Sequence, residues 1–183
     1  LYTLPAREKL FAAAHYLNEE ERQLLEKACA VAFVAHSKQK RKSGEPYIVH
    51  PIAVTEELAK WNMDIETLCA GLLHDVLEDT EIPYGQMVEW FGRTITELVD
   101  GVSKLNKFDY SDKALHQAES FRKLVMAMTK DVRVILVKLS DRLHNMRTLY
   151  GVDKISKRRS TARETLEIHA PIANRLGFNS VYR

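Results

Sequence analysis

The sequence predicts an all-α domain, and three observations carry that prediction. Seven glycines and five prolines in 183 residues leave little punctuation. The stretches between them repeat apolar residues with a helical period. A single segment, VRVILV at 132–137, has the β-branched content of a buried strand, and the pattern downstream of it continues in helical register. A chain of this length can bury roughly 70% of its unfolded surface in one core, so residues 1–183 are read as a single domain.

The elements follow in order. Asn18 ahead of Glu19, Glu20 and Glu21 reads as the capped, acidic first turn of a helix running through LLEKACAVAFVAHSK, whose basic far end suits the helix dipole. The RKSGEP stretch at 41–46 ends it. In YIVHPIAVTEELAKW, Pro51 disfavours helical geometry at His50 but suits a first helical position, which puts His50 at or just before a helix start. Asp64 caps the next helix, IETLCAGLLHDVLED, which stops before Pro83. Two shorter helices, YGQMVEWF and TITELVDGVSKL, are separated at Gly92. The polar and aromatic NKFDYSD at 106–112 lacks periodicity and reads as a loop. Helices resume at 113–129, 132–149 and 156–169, the last interrupted by Pro171. No internal repeat or low-complexity tract is visible.

Composition excludes several classes. Cys29 and Cys69 sit singly inside helical patterns, without disulfide or metal-ligand spacing, and read as small buried thiols of a cytoplasmic protein. No apolar run has the length of a membrane span, and the start, LYTLPAREKL, lacks the layout of a secretion signal. It also lacks an initiator Met, so a piece of a longer protein is expected. Lys plus Arg (27) against Asp plus Glu (25) gives a formal charge of +2, which argues against a protein that coats nucleic acid. The basic clusters at 38–42 and 157–159 fit either solvated helix ends or local contacts to phosphate.

The chemistry concentrates in HDVLED. On an uninterrupted helix, about 100° per residue sets His74 near Glu78 and Asp75 near Asp79, two rows facing one site. A surface acidic helix end is the plainer alternative. Buried together, imidazole and carboxylate need a partner, and a divalent cation satisfies both. Downstream, Lys138, Asp141, Asn145 and Thr148 recur at steps of three, four and three, where a helix normally carries its apolar stripe. That row reads either as an exposed face or as the wall of a cleft. With His50 at a helix start, the set His50, His74, Asp75 and Asp141 offers two nitrogens and two carboxylates, suited to a metal such as Mn²⁺. Glu78 and Asp79 remain available as general acid and base.

The H…HD…D pattern resembles the HD phosphohydrolase superfamily. The blocks RKSGEPYIVHP, GLLHDVLEDT, GVSKL, SDRLHNMRTL and RETLEIHAPIANRLG, in that order, resemble the hydrolase domain of the RelA/SpoT homologues, from about Leu10 to Gly177. The resemblance implies a compact multi-helix HD fold and Mn²⁺-dependent removal of the 3′-diphosphate from the alarmone (p)ppGpp, giving GDP or GTP and pyrophosphate. It assigns the metal to His50, His74, Asp75 and Asp141 and the catalytic acidic pair to Glu78 and Asp79. The nucleotide goes to Arg41, Lys42 and Ser43, with the arginine on guanine, and to Asn145 and Thr148; Lys138 is a further, weaker candidate.

The same resemblance sets the synthetase and regulatory domains of the family outside this chain. It implies a small-molecule nucleotide as partner, with no membrane and no direct nucleic acid. Two alternatives stay open: an HD phosphohydrolase acting on another nucleotide or phosphoester, and a non-enzymatic module binding RNA or protein. A gating role for the 105–112 loop is a separate question that spacing does not answer.

Overall fold

The structure, a computed structural model, describes residues 4–106, 122, 126 and 130–178. The expected loop at 106–112 and helix at 113–129 fall almost wholly outside the described residues. Among those described, regular structure is helical except for one isolated bridge between Lys40 and Pro46. The helices are α1 (Leu4–Ala13), α2 (Glu19–Ala35), α3 (Val49–Lys60), α4 (Ile65–Leu73), α5 (Val76–Asp79), α6 (Tyr84–Asn106), α7 (Arg133–Arg147), α8 (Ile155–Glu164) and α9 (Ala170–Arg175). VRVILV therefore belongs to a helix.

Helix α4 is the centre of the molecule. Every residue from Thr67 to Leu73 is buried, because α4 is apolar on all sides and packs against α2, α3 and α6. Its start is fixed by Asp64, whose carboxylate accepts from the Thr67 amide at 2.9 Å. Gly71 lets α3 approach: a Cβ there would stand 2.7 Å from Leu58 Cδ1 and 2.8 Å from Thr55 Oγ1. Helix α7 packs across α3 and α6. A smaller cluster of Ile135, Leu139, Ile168, Ile172 and Ala173 binds α7 to the C-terminal helices. Cys29 and Cys69 are free and buried.

Several boundaries differ from expectation. The N-terminal cap of α2 is the full reciprocal box, with Asn18 and Glu21 each bonding the other's backbone amide at 2.9 Å. Its far end, however, is Ala35, so Lys38 lies beyond the helix and no basic residue occupies the last turn. Helix α3 begins at Val49, which puts His50 inside the first turn and Pro51 one residue further; first-turn amides have no intrahelical acceptor, so proline costs nothing there. Gly92, with φ 78°, breaks α6 where two helices were expected.

Pro171 does not interrupt the last helix. Residues Thr165–His169 widen into a π turn, and α9 continues to Arg175. The wider turn accommodates a ring that lacks an amide donor and would clash with the preceding turn.

The largest departure lies at HDVLED. The helix stops at Leu73, His74 and Asp75 form a turn, and α5 is a single new turn. The continuous helix through His74 is not formed, but the pairing of Asp75 with Asp79 survives it, since the Asp79 amide bonds the Asp75 carbonyl at 2.8 Å. Breaking the helix frees the His74 carbonyl, and Ser103 Oγ of α6 stands 3.4 Å from it.

Candidate metal centre and adjoining cavity

Three elements deliver the cluster. The first turn of α3 supplies His50, the turn closing α4 supplies His74 and Asp75, and α7 supplies Asp141; all four are buried. His50 Nε2 is 3.2 Å from Asp141 Oδ1 and 3.9 Å from Asp75 Oδ2. His74 Nε2 is 3.0 Å from Asp75 Oδ2 and 4.0 Å from Asp141 Oδ1. The structure brings these four residues together.

The fit of a divalent cation can be tested on His74. Its Nδ1 donates to the Gly71 carbonyl at 2.8 Å, which leaves Nε2 as the nitrogen aimed into the cluster. That atom is buried and makes no hydrogen bond, although Asp75 lies close. Ligand atoms of His50, His74 and Asp141 all fall within 4.8 Å of one another. An unpartnered nitrogen beside two carboxylates makes a donor set compatible with a divalent metal.

The electrostatics agree. Burial opposes protonation of His74, yet Asp75 and Asp141 overcome it and push its pKa up to about 9; the carboxylates call for positive charge at that nitrogen. Burial likewise opposes ionisation of Asp75, but the His74 imidazole holds its carboxyl well below the usual range. Asp141 is also buried, and the Lys138 ammonium, with Nζ 2.8 Å from Oδ2, keeps it ionised far below its ordinary pKa. Lys138 thus serves Asp141, and it does not line the neighbouring cavity.

Around the cluster stand residues that the sequence reading missed. Tyr47 donates its hydroxyl to Asp75 Oδ2 at 2.6 Å and stands 3.3 Å from Asp79 Oδ2, bridging two acids one turn apart at α5. His36 stacks on Tyr47 with ring centroids 4.7 Å apart and bonds Gln39, whose amide donates to the Asp79 carbonyl. His144 meets His50 through their Nδ1 atoms. A signal existed for two of these: Tyr47 is three residues before His50 and His144 three after Asp141, each one helical turn away. Asp79 is exposed, and desolvation followed by the Asp75 charge raises its pKa. Glu78 is exposed.

Only the far half of the polar row is a cleft wall: Asn145 and Thr148 line the cavity, whereas Lys138 and Asp141 do not. Asn145 donates to Asp141 Oδ1 at 2.6 Å, and Arg41 Nη2 donates to Asn145 Oδ1 at 3.0 Å and to Thr148 Oγ1 at 3.4 Å. Arg41 reaches α7 from the 41–46 turn, where Gly44 takes φ 87°. A cavity of about 410 Å³ opens beside it, lined by Arg41, Lys42, Ser43, Asn145 and Thr148 among others. Of the downstream basic cluster, Lys157 lines this cavity, whereas Arg158 bonds the carbonyls of Val152 and Tyr150.

Fold and site together define an all-helical domain built around a buried cluster of two histidines and two aspartates, next to a basic cavity. The chain belongs to the HD domain family, which it matches over residues 28–179. It is 55% identical over 166 residues to the bifunctional (p)ppGpp synthase/hydrolase SpoT of Escherichia coli K12, covering 91% of this chain and 24% of that protein. A guanosine-3′,5′-bis(diphosphate) 3′-pyrophosphohydrolase of Vibrio cholerae is 52% identical over 169 residues, 92% of this chain and 24% of that one. The chain thus spans about a quarter of the length of these relatives. Among solved structures, one described as "A metazoan ortholog of SpoT hydrolyzes ppGpp and plays a role in starvation responses" superposes with a TM-score of 0.62 at 28% identity, covering 79% of this chain and 84% of that one. No helix among the described residues is long and apolar enough to cross a membrane.

Proposed function

We propose that this domain hydrolyses guanosine-3′,5′-bis(diphosphate) and its 5′-triphosphate analogue, adding water across the 3′ phosphoester link to release pyrophosphate and leave GDP or GTP. The observation that carries this reading is the convergence of His50, His74, Asp75 and Asp141 beside a cavity that Lys40, Arg41 and Lys42 line and no carboxylate among the described residues does. The names of the relatives agree with it. The four clustered residues would hold Mn²⁺, and a divalent ion bound there supplies Lewis acidity toward a phosphoryl oxygen and toward water.

The chain's own residues do the rest. Arg41, anchored through Nη2 to Asn145 and Thr148, offers a guanidinium plane for guanine. Lys42 and Ser43 sit on the same cavity wall to meet phosphate and ribose. Asp79, whose raised pKa suits proton transfer and whose carboxylate Tyr47 holds in place, handles a proton at the 3′ link together with Glu78. The domain is a single hydrolase unit of a cytoplasmic enzyme, whose synthetase and regulatory functions reside in the additional length its relatives have.

The deciding experiment measures pyrophosphate release from ppGpp by protein stripped of metal and then resupplied with Mn²⁺. Release restored by the ion supports the reading. Absence of release with metal present overturns it, and equal turnover of unrelated nucleotides would assign the site to a broader phosphohydrolase.

A further inference from the structure

Asp79 is the last residue of α5, a helix of one turn that starts directly after the cluster residue Asp75. A single turn has too few backbone bonds to keep its shape in water, so the position of its final carboxylate depends on what grips it from outside. Within the turn, the Asp79 amide bonds the Asp75 carbonyl at 2.8 Å, and Thr80 Oγ1 donates to the Val76 carbonyl at 2.7 Å. Two further contacts come from the segment that links α2 to α3. The Tyr47 hydroxyl reaches the Asp79 carboxylate, and Gln39 Nε2 donates to the Asp79 carbonyl at 2.7 Å. A carbonyl at the end of a helical turn has no intrahelical donor, and Gln39 supplies one. Asp79 is exposed, yet it is held by its side chain and by its backbone at once.

Both grips share one support. The Tyr47 amide donates to the Gln39 carbonyl at 3.1 Å, which pairs the two residues through the backbone. His36, buried at the end of α2, packs its ring on Tyr47 and sets its Nδ1 2.8 Å from Gln39 Oε1. Because the Gln39 amide nitrogen donates to Asp79, its oxygen faces His36, and Nδ1 carries the proton in that bond. His36 Nε2 is buried and makes no hydrogen bond among the described residues. The Gln39 oxygen is thus the polar partner that fixes the ring, and the ring fixes which way the Gln39 amide points.

We propose that Gln39 is a positioning residue for hydrolysis: by holding the Asp79 carbonyl it sets where the Asp79 carboxylate stands relative to the metal cluster. The role rests on the function proposed above. Gln39 does not line the cavity, so it acts through Asp79. A reacting group displaced by about 1 Å can lose on the order of 10²-fold in rate, which makes one bond to a backbone carbonyl consequential.

The test compares wild type with Gln39→Met, which keeps the length of the side chain and removes both polar ends. Ser37→Ala is the control, at an exposed position in the same turn. Gln39→Met should lower kcat for ppGpp about 10- to 100-fold, with KM, Mn²⁺ affinity and melting temperature close to wild type. Ser37→Ala should alter none of these. In an Asp79→Asn background, Gln39→Met should cost nothing further, because two changes that act through one group are not additive. Exchange of the Asp79 amide should quicken in Gln39→Met while residues 67–73 of α4 stay protected. An unchanged kcat, multiplicative losses in the double variant, or Mn²⁺ affinity falling in step with kcat overturns the assignment, the last making Gln39 an ordinary strut. Should wild type release no pyrophosphate from ppGpp, the proposed function falls and the exchange measurement still decides: unaltered Asp79 exchange removes the clamp, and faster exchange leaves it standing.

Discussion

His50 and His144 face each other through their Nδ1 atoms, 2.8 Å apart, so one ring must donate to the other. Burial first, then the charges of His50 and Arg41, push the His144 pKa down to about 3, which leaves it neutral and able to accept. Metal ligation through His50 Nε2 requires the His50 proton on Nδ1, and His144 is placed to accept it there. An acceptor behind a ligand histidine fixes both tautomer and ring orientation.

His144→Phe keeps the ring and removes the acceptor. It should weaken Mn²⁺ binding about 10- to 100-fold while leaving thermal stability close to wild type. Titration calorimetry with the metal reads this directly; unaltered affinity would deny His144 any part in orienting His50.

Tyr47 ties Asp79 to Asp75. Asp79→Asn should therefore reduce kcat by about 10²-fold or more, the usual scale for a lost proton-transfer group, with Mn²⁺ content unchanged. Glu78→Gln should slow turnover by a smaller factor. The reverse order in single-turnover rates would make Glu78 the principal acid or base.

Two glycines on helices should respond oppositely to alanine. At Gly71 the new methyl group meets Leu58 and Thr55 below 3 Å, and overpacking of about 1–3 kcal/mol outweighs a helix-propensity gain of about 1 kcal/mol. At Gly85 nothing lies within 4 Å, so only the gain remains. Urea unfolding should show Gly71→Ala destabilised and Gly85→Ala stabilised; a stabilised Gly71→Ala would contradict the close approach of α3 and α4.

His169 is buried, and desolvation, followed by the charges of Arg142 and Lys138, pushes its pKa down to about 3. Between that value and an unfolded pKa of about 6.5, the unfolded chain binds a proton that the folded one does not. Stability contributed by this residue is full above about pH 6.5 and is lost as pH falls toward 3, at up to about 1.4 kcal/mol per pH unit. His169→Gln should flatten the decline of unfolding free energy between pH 6.5 and 4 relative to wild type. Identical slopes would show that His169 already titrates normally in the folded protein.

Most helices could be read from the chain because their signals are local. The Asn18 box, the Asp64 cap and the break at Gly92 each depend on residues within one turn. The four clustered residues could be named from pattern and resemblance, and the polar row of α7 from its period. The break after Leu73 could not. Nothing in LLHDVLED forbids a continuous helix, and the turn is held by contacts from elsewhere, the Tyr47 hydroxyl on Asp75 and Ser103 near the His74 carbonyl. The π turn before Pro171 likewise depends on how the flanking segments pack.

The sequence alone determined which side chains carry the chemistry and which helices bear them, since side-chain type and helical period are properties of short stretches. Only the tertiary structure decided which atoms meet. Tyr47 spanning two acids, His144 behind His50 and Arg41 on Asn145 join residues up to 104 positions apart, and such pairings are set by how α3, α4 and α7 pack around buried apolar surface, a property that no local stretch contains.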